Sequence, residues 1–207
     1  EWIVFLDSDD ELTPTSIADR YQSYLESGYA DALVYGDCVY TDGQRVTGST
    51  DYLQLSGRSF ATILHDMALC AFMAIMLPKR VFALTGFPTP SFPACQDDDF
   101  VLTVSRIIPV HYASTGPVAK IYRTDNSISS VPNNLIRGTE LLISKYSSDI
   151  HKLQGRRRLW VWKRRLAYLK LKKYRSRIEN PFFDRIIGRV LRVWRRNLKN
   201  KFYRFPY

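Results

Sequence analysis

An uninterrupted apolar run at residues 2–6 is the feature that most constrains the fold. The run reads WIVFL and ends directly at Asp7. A short continuous apolar run predicts a strand buried on both faces, as in a parallel α/β sheet. Similar short runs recur at residues 32–35, 71–77 and 118–122, and helical patterns cover residues 16–26, 58–66 and 135–152. Strands that alternate with helices predict an α/β fold.

Local signals predict where several of these elements begin and end. Ser or Thr at residues 13–16 is expected to cap the first helix, and Gly28 to end it. Residues 39–41 are expected to continue the strand at 32–35, and Asp42-Gly43 to form a tight turn. Gly86 is expected to end a helix that opens at Pro78.

The charge distribution divides the chain near residue 150. Residues 1–150 carry 10 Lys/Arg and 18 Asp/Glu, whereas residues 151–207 carry 20 Lys/Arg and only two acidic residues. We therefore expect two functional regions, an acidic one at residues 1–150 and a basic one at residues 151–207. The three cysteines are widely spaced and form no CxxC pair. This spacing favours buried reduced thiols of a cytosolic protein over a disulfide framework or a zinc site.

An acidic tetrapeptide, Asp7-Ser8-Asp9-Asp10, follows the first apolar run. Carboxylates at the carboxyl end of a strand lie where α/β sheets bind their ligands. Two neighbouring carboxylates repel each other unless a cation neutralises them. Mg²⁺ or Mn²⁺, which prefer oxygen ligands, would suit Asp7 and Asp9 and could bridge the phosphates of a nucleotide. The alternative is a solvated loop in which one Asp caps the following helix.

A second acidic cluster, Gln96-Asp97-Asp98-Asp99, follows a proline-rich loop and precedes an apolar helical stretch. Carboxylates at a helix N-terminus are stabilised by the helix dipole, so simple capping is one interpretation. Adjacent carboxylates in a cleft also raise one another's pKa, which suits a general base. The two clusters together favour a functional site.

Five segments carry a resemblance to a known family. They are WIVFLDSDD at 2–10, ADALVYGD at 30–37, PKRVF with GF at 78–82 and 86–87, QDDDF at 96–100, and IYRTDNSIS at 121–129. In this order and spacing the sequence resembles the family 2 inverting glycosyltransferases, which have the GT-A fold. The resemblance covers roughly residues 1–130. It implies a partial GT-A (Rossmann-like) sheet with flanking helices at residues 1–150, followed by a basic helical region.

The resemblance also implies roles for individual residues. A Mg²⁺ or Mn²⁺ ion would be held by Asp7 and Asp9. A nucleotide-diphosphate sugar would be bound by Asp7, Ser8, Asp9 and Arg123. The acceptor would be surrounded by Gln96, Asp98 and Asp99. Asp97 would be the catalytic base, removing a proton from the acceptor hydroxyl that attacks the anomeric carbon. Such an enzyme would transfer a sugar, with inversion, to a saccharide or lipid-linked acceptor in cell-surface polysaccharide synthesis.

The sequence departs from the family pattern at three places. Gln96 stands where the family has an acidic residue, and the segment from Tyr122 to Asp125 lacks the usual His. The strand and acidic turn that bind the nucleotide base are expected before Glu1. We therefore expect the chain to be the C-terminal, N-terminally truncated part of such a domain.

The basic region predicts a membrane partner. Residues 182–203 place apolar and basic residues on opposite sides of a helix, and residues 156–178 are also basic and aromatic. A basic amphipathic helix with Trp and Phe suits an anionic membrane surface. We expect residues 156–203 to bind the inner face of the plasma membrane from the cytoplasm. The alternatives are packing on the catalytic domain and nucleic-acid binding, for which the sequence has no known motif.

The sequence is also compatible with two other functions. An apolar strand followed by Asp-x-Asp is also the first motif of the haloacid-dehalogenase-like phosphohydrolases, although Glu11 stands where that family has Thr or Val. A non-enzymatic alternative is an inactive remnant that binds membranes through its basic region.

Overall fold

The computed structural model describes residues 1–122, 131–175 and 187–188. Within these ranges the chain forms two compact units. The first contains residues 1–91 and 96–122, and the second contains residues 92–95, 131–175 and 187–188. Both strands and helices are present, so the predicted α/β class is confirmed at that level.

The described residues contain nine short strands and five α-helices. The strands are β1 (Trp2–Val4), β2 (Glu11–Leu12), β3 (Leu33–Tyr35), β4 (Cys38–Thr41), β5 (Val46–Ser49), β6 (Ser56–Gly57), β7 (Ile75–Pro78), β8 (Val110–Tyr112) and β9 (Ala119–Tyr122). The helices are α1 (Ser16–Ser27), α2 (Phe60–Asp66), α3 (Phe82–Thr85), α4 (Gln96–Ser105) and α5 (Pro132–Arg175). Two 3₁₀ turns, Phe72–Ala74 and Lys79–Val81, flank β7.

The larger sheet has five strands in the order β1-β7-β3-β8-β6. Only β3 and β8 are parallel neighbours, and the other pairs are antiparallel. Its core includes Ala32, Val34, Met76 and Ala113, which are fully buried. Burying these apolar side chains is the main contribution to the stability of this sheet.

The prediction for the first apolar run was wrong in two respects. β1 ends at Val4 and lies at the edge of the sheet, antiparallel to β7, and its residues are only partly buried. The run is apolar because its side chains pack against other apolar groups: Trp2 and Val4 lie against the core of this sheet. Trp2 contacts Tyr24 of α1 with ring centroids 4.4 Å apart, and Phe5 leaves the strand to join an aromatic cluster.

The smaller sheet has four strands in the order β2-β9-β4-β5. β4 and β9 are parallel, and β4 joins β5 through the turn predicted at Asp42 and Gly43. Asp42 stabilises this turn because its Oδ1 accepts hydrogen bonds from the backbone N–H groups of Gln44 and Arg45. Residues 39–41, expected to continue the preceding strand, therefore belong to a second sheet.

Helix α1 begins and ends close to the predicted positions. Gly28 terminates it with φ 69°, a conformation that glycine adopts without steric cost. The expected Ser or Thr side-chain cap is absent, since Thr15 occupies the N-cap position without a side-chain hydrogen bond to the helix. The backbone N–H of Ser16 instead donates to the carbonyl of Thr13.

The second unit is mainly helix α5. Its backbone leaves helical geometry at Gly155, with φ 79° and ψ 171°, so α5 consists of two helical segments. The first contains the helix predicted at residues 135–152, and the second lies in the basic region that was expected to be helical. Lys170 and Glu140 form an ion pair of 2.6 Å that joins the segments on either side of Gly155. None of the helices in the described ranges is long and apolar enough to cross a membrane.

Candidate functional site

The first acidic cluster forms a tight turn between β1 and β2. The backbone N–H of Asp10 donates to the carbonyl of Asp7 over 3.1 Å, which closes the turn. Asp7, Ser8 and Asp9 are exposed on it. Asp10 has a different environment, because its Oδ1 accepts a 2.9 Å hydrogen bond from the backbone N–H of Tyr122. Asp10 therefore attaches this turn to the end of β9.

The second acidic cluster is the first turn of α4, one turn earlier than the predicted helix start. Asp97 is partly buried, and its Oδ1 accepts a 3.0 Å hydrogen bond from the N–H of Asp98. Asp99 is 1% exposed, and its carboxylate accepts a 3.2 Å hydrogen bond from Thr89. Asp99 thus attaches the proline-rich loop to the helix.

An aromatic cluster joins the two acidic segments. Phe5, two residues before Asp7, contacts Phe100, three residues after Asp97, with ring centroids 5.7 Å apart. Phe72 contacts both rings, at 4.9 Å from Phe5 and 5.9 Å from Phe100. These contacts hold the acidic turn beside the first turn of α4, although the two segments are far apart in the sequence.

The electrostatics of the site agree with this proximity. Although Asp7 is exposed, the surrounding protein removes part of the water around its carboxyl group; this partial desolvation, and then the charge of Asp9, raise the pKa of Asp7 above its usual value. Burial also raises the pKa of Asp97, opposed by the N–H donor of Asp98 and reinforced by the charge of Asp7. Burial raises the pKa of Asp10 as well, the hydrogen bond from the backbone N–H of Tyr122 opposes this effect, and the charges of Asp9 and Asp7 reinforce it. The site is thus a group of carboxylates that repel one another.

A buried arginine that the sequence pattern did not predict supports the aromatic cluster. Arg20 of α1 is 0% exposed, and its guanidinium donates to the carbonyl of Ala74 at 3.1 Å and to Ser16 Oγ at 2.7 Å. Ala74 ends the 3₁₀ turn that carries Phe72. Burial lowers the pKa of Arg20 to about 10. Its position on α1, next to polar helix residues, gave no sign that it would be buried.

The acidic turn offers oxygen ligands to a divalent cation. Among the described residues, no three His, Cys, Asp or Glu side chains are arranged to hold a metal. Mg²⁺, however, is usually held by only one or two carboxylates together with water and substrate phosphates. Asp7 and Asp9, two exposed carboxylates on one turn, are an oxygen donor set of that kind. The residues therefore fit an ion that a nucleotide diphosphate helps to hold.

Comparison with known proteins adds no assignment. No protein-family model matches the chain. No curated protein matches it either. A function for this site therefore has to be argued from the residues and their geometry.

The structure brings Asp7 and Asp97 together and describes most of the other predicted site residues. Ser8 and Asp9 share the turn with Asp7, and Gln96 and Asp98 share the first helical turn with Asp97. Arg123 lies outside the described residues, as does the amphipathic segment predicted at 182–203 except for residues 187–188.

The second unit carries an exposed basic and aromatic surface, which we call the basic patch. Arg156, Arg157, Trp160 and Val161 line a shallow depression just after Gly155. Trp160 is 59% exposed, and the guanidinium of Arg164 lies 5.3 Å from its ring centroid. The patch thus combines cations and an indole at the solvent surface.

Proposed function

We propose that the chain carries part of the catalytic site of a metal-dependent inverting glycosyltransferase with a GT-A fold. One observation supports this most strongly: the contact between Phe5 and Phe100 holds the turn of Asp7 beside the helical turn of Asp97, whose pKa is raised by burial and, to a smaller extent, by the charge of Asp7. Glycosyl transfer from a nucleotide sugar needs two such groups. One region must bind the diphosphate, and a nearby base must accept a proton from the acceptor.

Asp97 is the proposed base. The acceptor hydroxyl oxygen attacks the anomeric carbon of the donor, and its proton passes to the carboxylate of Asp97. The bond between that carbon and the diphosphate oxygen breaks, and the diphosphate leaves with the electron pair. A raised pKa makes a carboxylate a stronger base than an ordinary aspartate, which suits this role. A single displacement of this kind inverts the configuration.

Asp7 and Asp9 would hold Mg²⁺ or Mn²⁺ at the donor diphosphate. When bound, the ion would neutralise the negative charge of the leaving group. Ser8 and, outside the described residues, Arg123 remain proposed donor-binding residues. Gln96 and Asp98 share the helical turn of Asp97 and are proposed to contact the acceptor. Asp99 is proposed to position the loop through Thr89 rather than to touch the acceptor directly.

Substitution of Asp97 tests this proposal. We expect Asp97→Asn to lower turnover about 10²- to 10⁴-fold, because the base is lost. Calorimetry with UDP or GDP and Mg²⁺ or Mn²⁺ should show unchanged affinity in this variant. Asp7→Asn and Asp9→Asn should instead weaken nucleotide binding. Asp42→Asn, an exposed carboxylate on the β4–β5 turn, is the control and should match the wild type.

Two results would reject the assignment. Full turnover in the Asp97→Asn variant would show that Asp97 is not the base. Hydrolysis of p-nitrophenyl phosphate, without binding of any sugar nucleotide, would favour the phosphohydrolase alternative, in which Asp7 would be the nucleophile.

We also propose that the basic patch binds an anionic membrane surface at the cytoplasmic face of the plasma membrane, where a lipid-linked acceptor would be found. The exposed cations Arg156 and Arg157 lie beside Trp160, a residue type that favours the membrane interface. Flotation of the full chain should occur with vesicles containing phosphatidylglycerol and not with pure phosphatidylcholine vesicles. Equal flotation with neutral vesicles, or none with either, would exclude this role.

A further inference from the structure

The last aspartate of the acidic tetrapeptide differs from the residues before it. Asp7, Ser8 and Asp9 are exposed, whereas Asp10 is partly buried. The Oδ1 atom of Asp10 accepts a 2.9 Å hydrogen bond from the backbone N–H of Tyr122, the last residue of β9. Its own backbone N–H donates to the carbonyl of Asp7. Asp10 therefore both closes the turn and attaches it to β9.

Asp10 extends the pairing between β2 and β9 by one side-chain hydrogen bond. The two strands pair through Glu11 with Lys120 and Leu12 with Ala119. A pairing this short is marginally stable by itself and does little to fix the chain beside it. Asp10 lies directly before β2, between the strand and the rest of the turn. The conformation of the turn at this end therefore depends on the Asp10 side chain.

The chain before the turn is fixed independently. The ring of Phe5 contacts Phe72 and Phe100, with centroids 4.9 Å and 5.7 Å apart, respectively. Residues 6–9, which lie between Phe5 and Asp10, are all exposed and include both proposed metal ligands. A short exposed segment that is held at both ends has few accessible conformations, and losing either attachment increases their number.

The number of conformations affects how tightly an ion binds. Two exposed carboxylates must adopt one arrangement before both can bind the same ion, and ordering them on binding costs free energy. Hydrogen bonds around a metal site lower this cost because they orient the ligands beforehand. One oxygen of Asp10 already accepts a backbone hydrogen bond, whereas the carboxylates of Asp7 and Asp9 are exposed.

We propose that Asp10 is the positioning residue of the metal site and not one of its ligands. Through its hydrogen bond to Tyr122 it holds the turn so that Asp7 and Asp9 present their oxygens together to Mg²⁺ or Mn²⁺. This inference rests on the proposed glycosyltransferase function, because it assigns the support to that reaction's donor site. Three similar aspartates thereby receive two different roles.

Two substitutions of Asp10 separate support from ligation. Asn and Ala both remove the negative charge, but the side-chain carbonyl of Asn still accepts a hydrogen bond from a backbone N–H. Mn²⁺ is titrated into the full chain with UDP, and separately with GDP, and the free ion is followed by electron paramagnetic resonance. We expect Asp10→Asn to bind Mn²⁺ within about 5-fold of the wild type, since an exposed charge contributes little. Asp10→Ala should bind about 10- to 100-fold more weakly than the wild type.

A matched control and a second measurement isolate the effect on the turn. Thr13 Oγ1 donates a 2.8 Å hydrogen bond to the carbonyl of Pro117, which joins the same two segments on the other side of β2. Thr13→Ala should therefore bind Mn²⁺ as the wild type does. Amide hydrogen exchange should show the N–H of Tyr122 exchanging faster in Asp10→Ala than in Asp10→Asn, because only Ala removes its acceptor.

The possible outcomes separate this inference from the proposed function. Equal losses of Mn²⁺ binding in Asp10→Asn and Asp10→Ala would make Asp10 a ligand and overturn the inference. Wild-type binding in Asp10→Ala, combined with weaker binding in Asp7→Asn and Asp9→Asn, overturns the inference and leaves the donor site in place. No Mn²⁺ binding by the wild type with either nucleotide overturns both. The expected pattern at Asp10, combined with full turnover in Asp97→Asn, supports the inference and rejects Asp97 as the base.

Discussion

At the scale of single residues, Phe100 links the core to the site. It is 2% exposed and contacts the rings of Phe5, Phe72 and Phe82. Removing a buried phenyl ring costs the transfer free energy of its carbons and leaves a cavity that the neighbours fill only in part. Because the same ring holds the acidic turn beside α4, its loss should also alter the distance between Asp7 and Asp97.

We expect Phe100→Ala to lower the free energy of unfolding by about 3–5 kcal/mol. Urea denaturation followed by circular dichroism would measure this change. Phe87→Ala is the matched control, because Phe87 is 79% exposed and its replacement should change stability by less than about 0.5 kcal/mol. Equal stability losses in the two variants would contradict the placement of Phe100 in the core.

A second residue-scale prediction concerns pH. Tyr112 donates a 2.5 Å hydrogen bond to Oδ2 of Asp37. Burial, followed by this hydrogen bond and the charge of Asp37, raises the pKa of Tyr112 from 10.0 to about 12. Since the pKa is higher in the folded state, the folded protein holds this proton more tightly than the unfolded chain. The contribution of the Tyr112 proton to the free energy of unfolding is therefore fully present below pH 10.0 and is lost as the pH rises through about 12.

We expect Tyr112→Phe to lower the unfolding free energy by about 1–3 kcal/mol at pH 8, because a hydrogen bond to a charged acceptor is lost. The difference between wild type and variant should shrink between pH 10.0 and about 12. Denaturation at a series of pH values would measure it. Tyr174→Phe, at an exposed position, is the control and should show no difference. A constant difference across this range would contradict the prediction.

At the scale of secondary structure, local signals predicted much of the first unit. Gly28 ends α1, Asp42 and Gly43 form the turn after β4, and Gly86 ends α3, all as expected. These positions were predictable because turns and helix ends depend on the backbone preferences of a few adjacent residues. The third apolar run also forms a strand, although its first residues adopt a 3₁₀ turn.

Two of the elements that were missed depend on distant partners. β2 and β6 have two residues each and form only because they pair with β9 and β8, respectively. Such pairs are too short to show a periodic pattern. The same reason applies to the site: both acidic clusters were predictable, but the ring contact that joins them is tertiary. The burial of Asp99 was likewise invisible in a run of three similar aspartates.

Helix α5 depends on a close approach at Gly138. A Cβ atom at this position would collide with the backbone oxygen of Ala94 and lie 3.3 Å from Cys95 Sγ. We expect Gly138→Ala to lower the unfolding free energy by about 1–3 kcal/mol, although alanine is intrinsically the better helix former. Ser148→Ala, at an exposed position of the same helix, should change stability by only a few tenths of a kcal/mol. Thermal unfolding measures both, and a stabilised Gly138→Ala would contradict this contact.

At the scale of the whole molecule, the uneven charge is the dominant feature. Residues 1–150 carry an excess of eight acidic residues, and residues 151–207 an excess of eighteen basic ones. The positive electrostatic potential around the basic region is therefore stronger than the net charge of +10 for the whole chain would suggest. The acidic region would be repelled by an anionic surface, whereas the basic region would be attracted to it. Electrostatics thus favours binding with the basic region facing an anionic membrane.

The basic patch allows the electrostatic and apolar parts of this attraction to be separated. We expect Arg156→Gln with Arg157→Gln to weaken binding to phosphatidylglycerol vesicles by about 2 kcal/mol at low salt, since each cation contributes about 1 kcal/mol. This loss should diminish with ionic strength because salt screens exposed charges.

Trp160→Ala should weaken binding at every salt concentration, because burial of its 59% exposed ring depends little on screening. Co-sedimentation across a salt series measures both effects, with Lys79→Gln, an exposed cation of the first unit, as the control. If the double variant binds as tightly as the wild type at low salt, the patch is not the membrane contact.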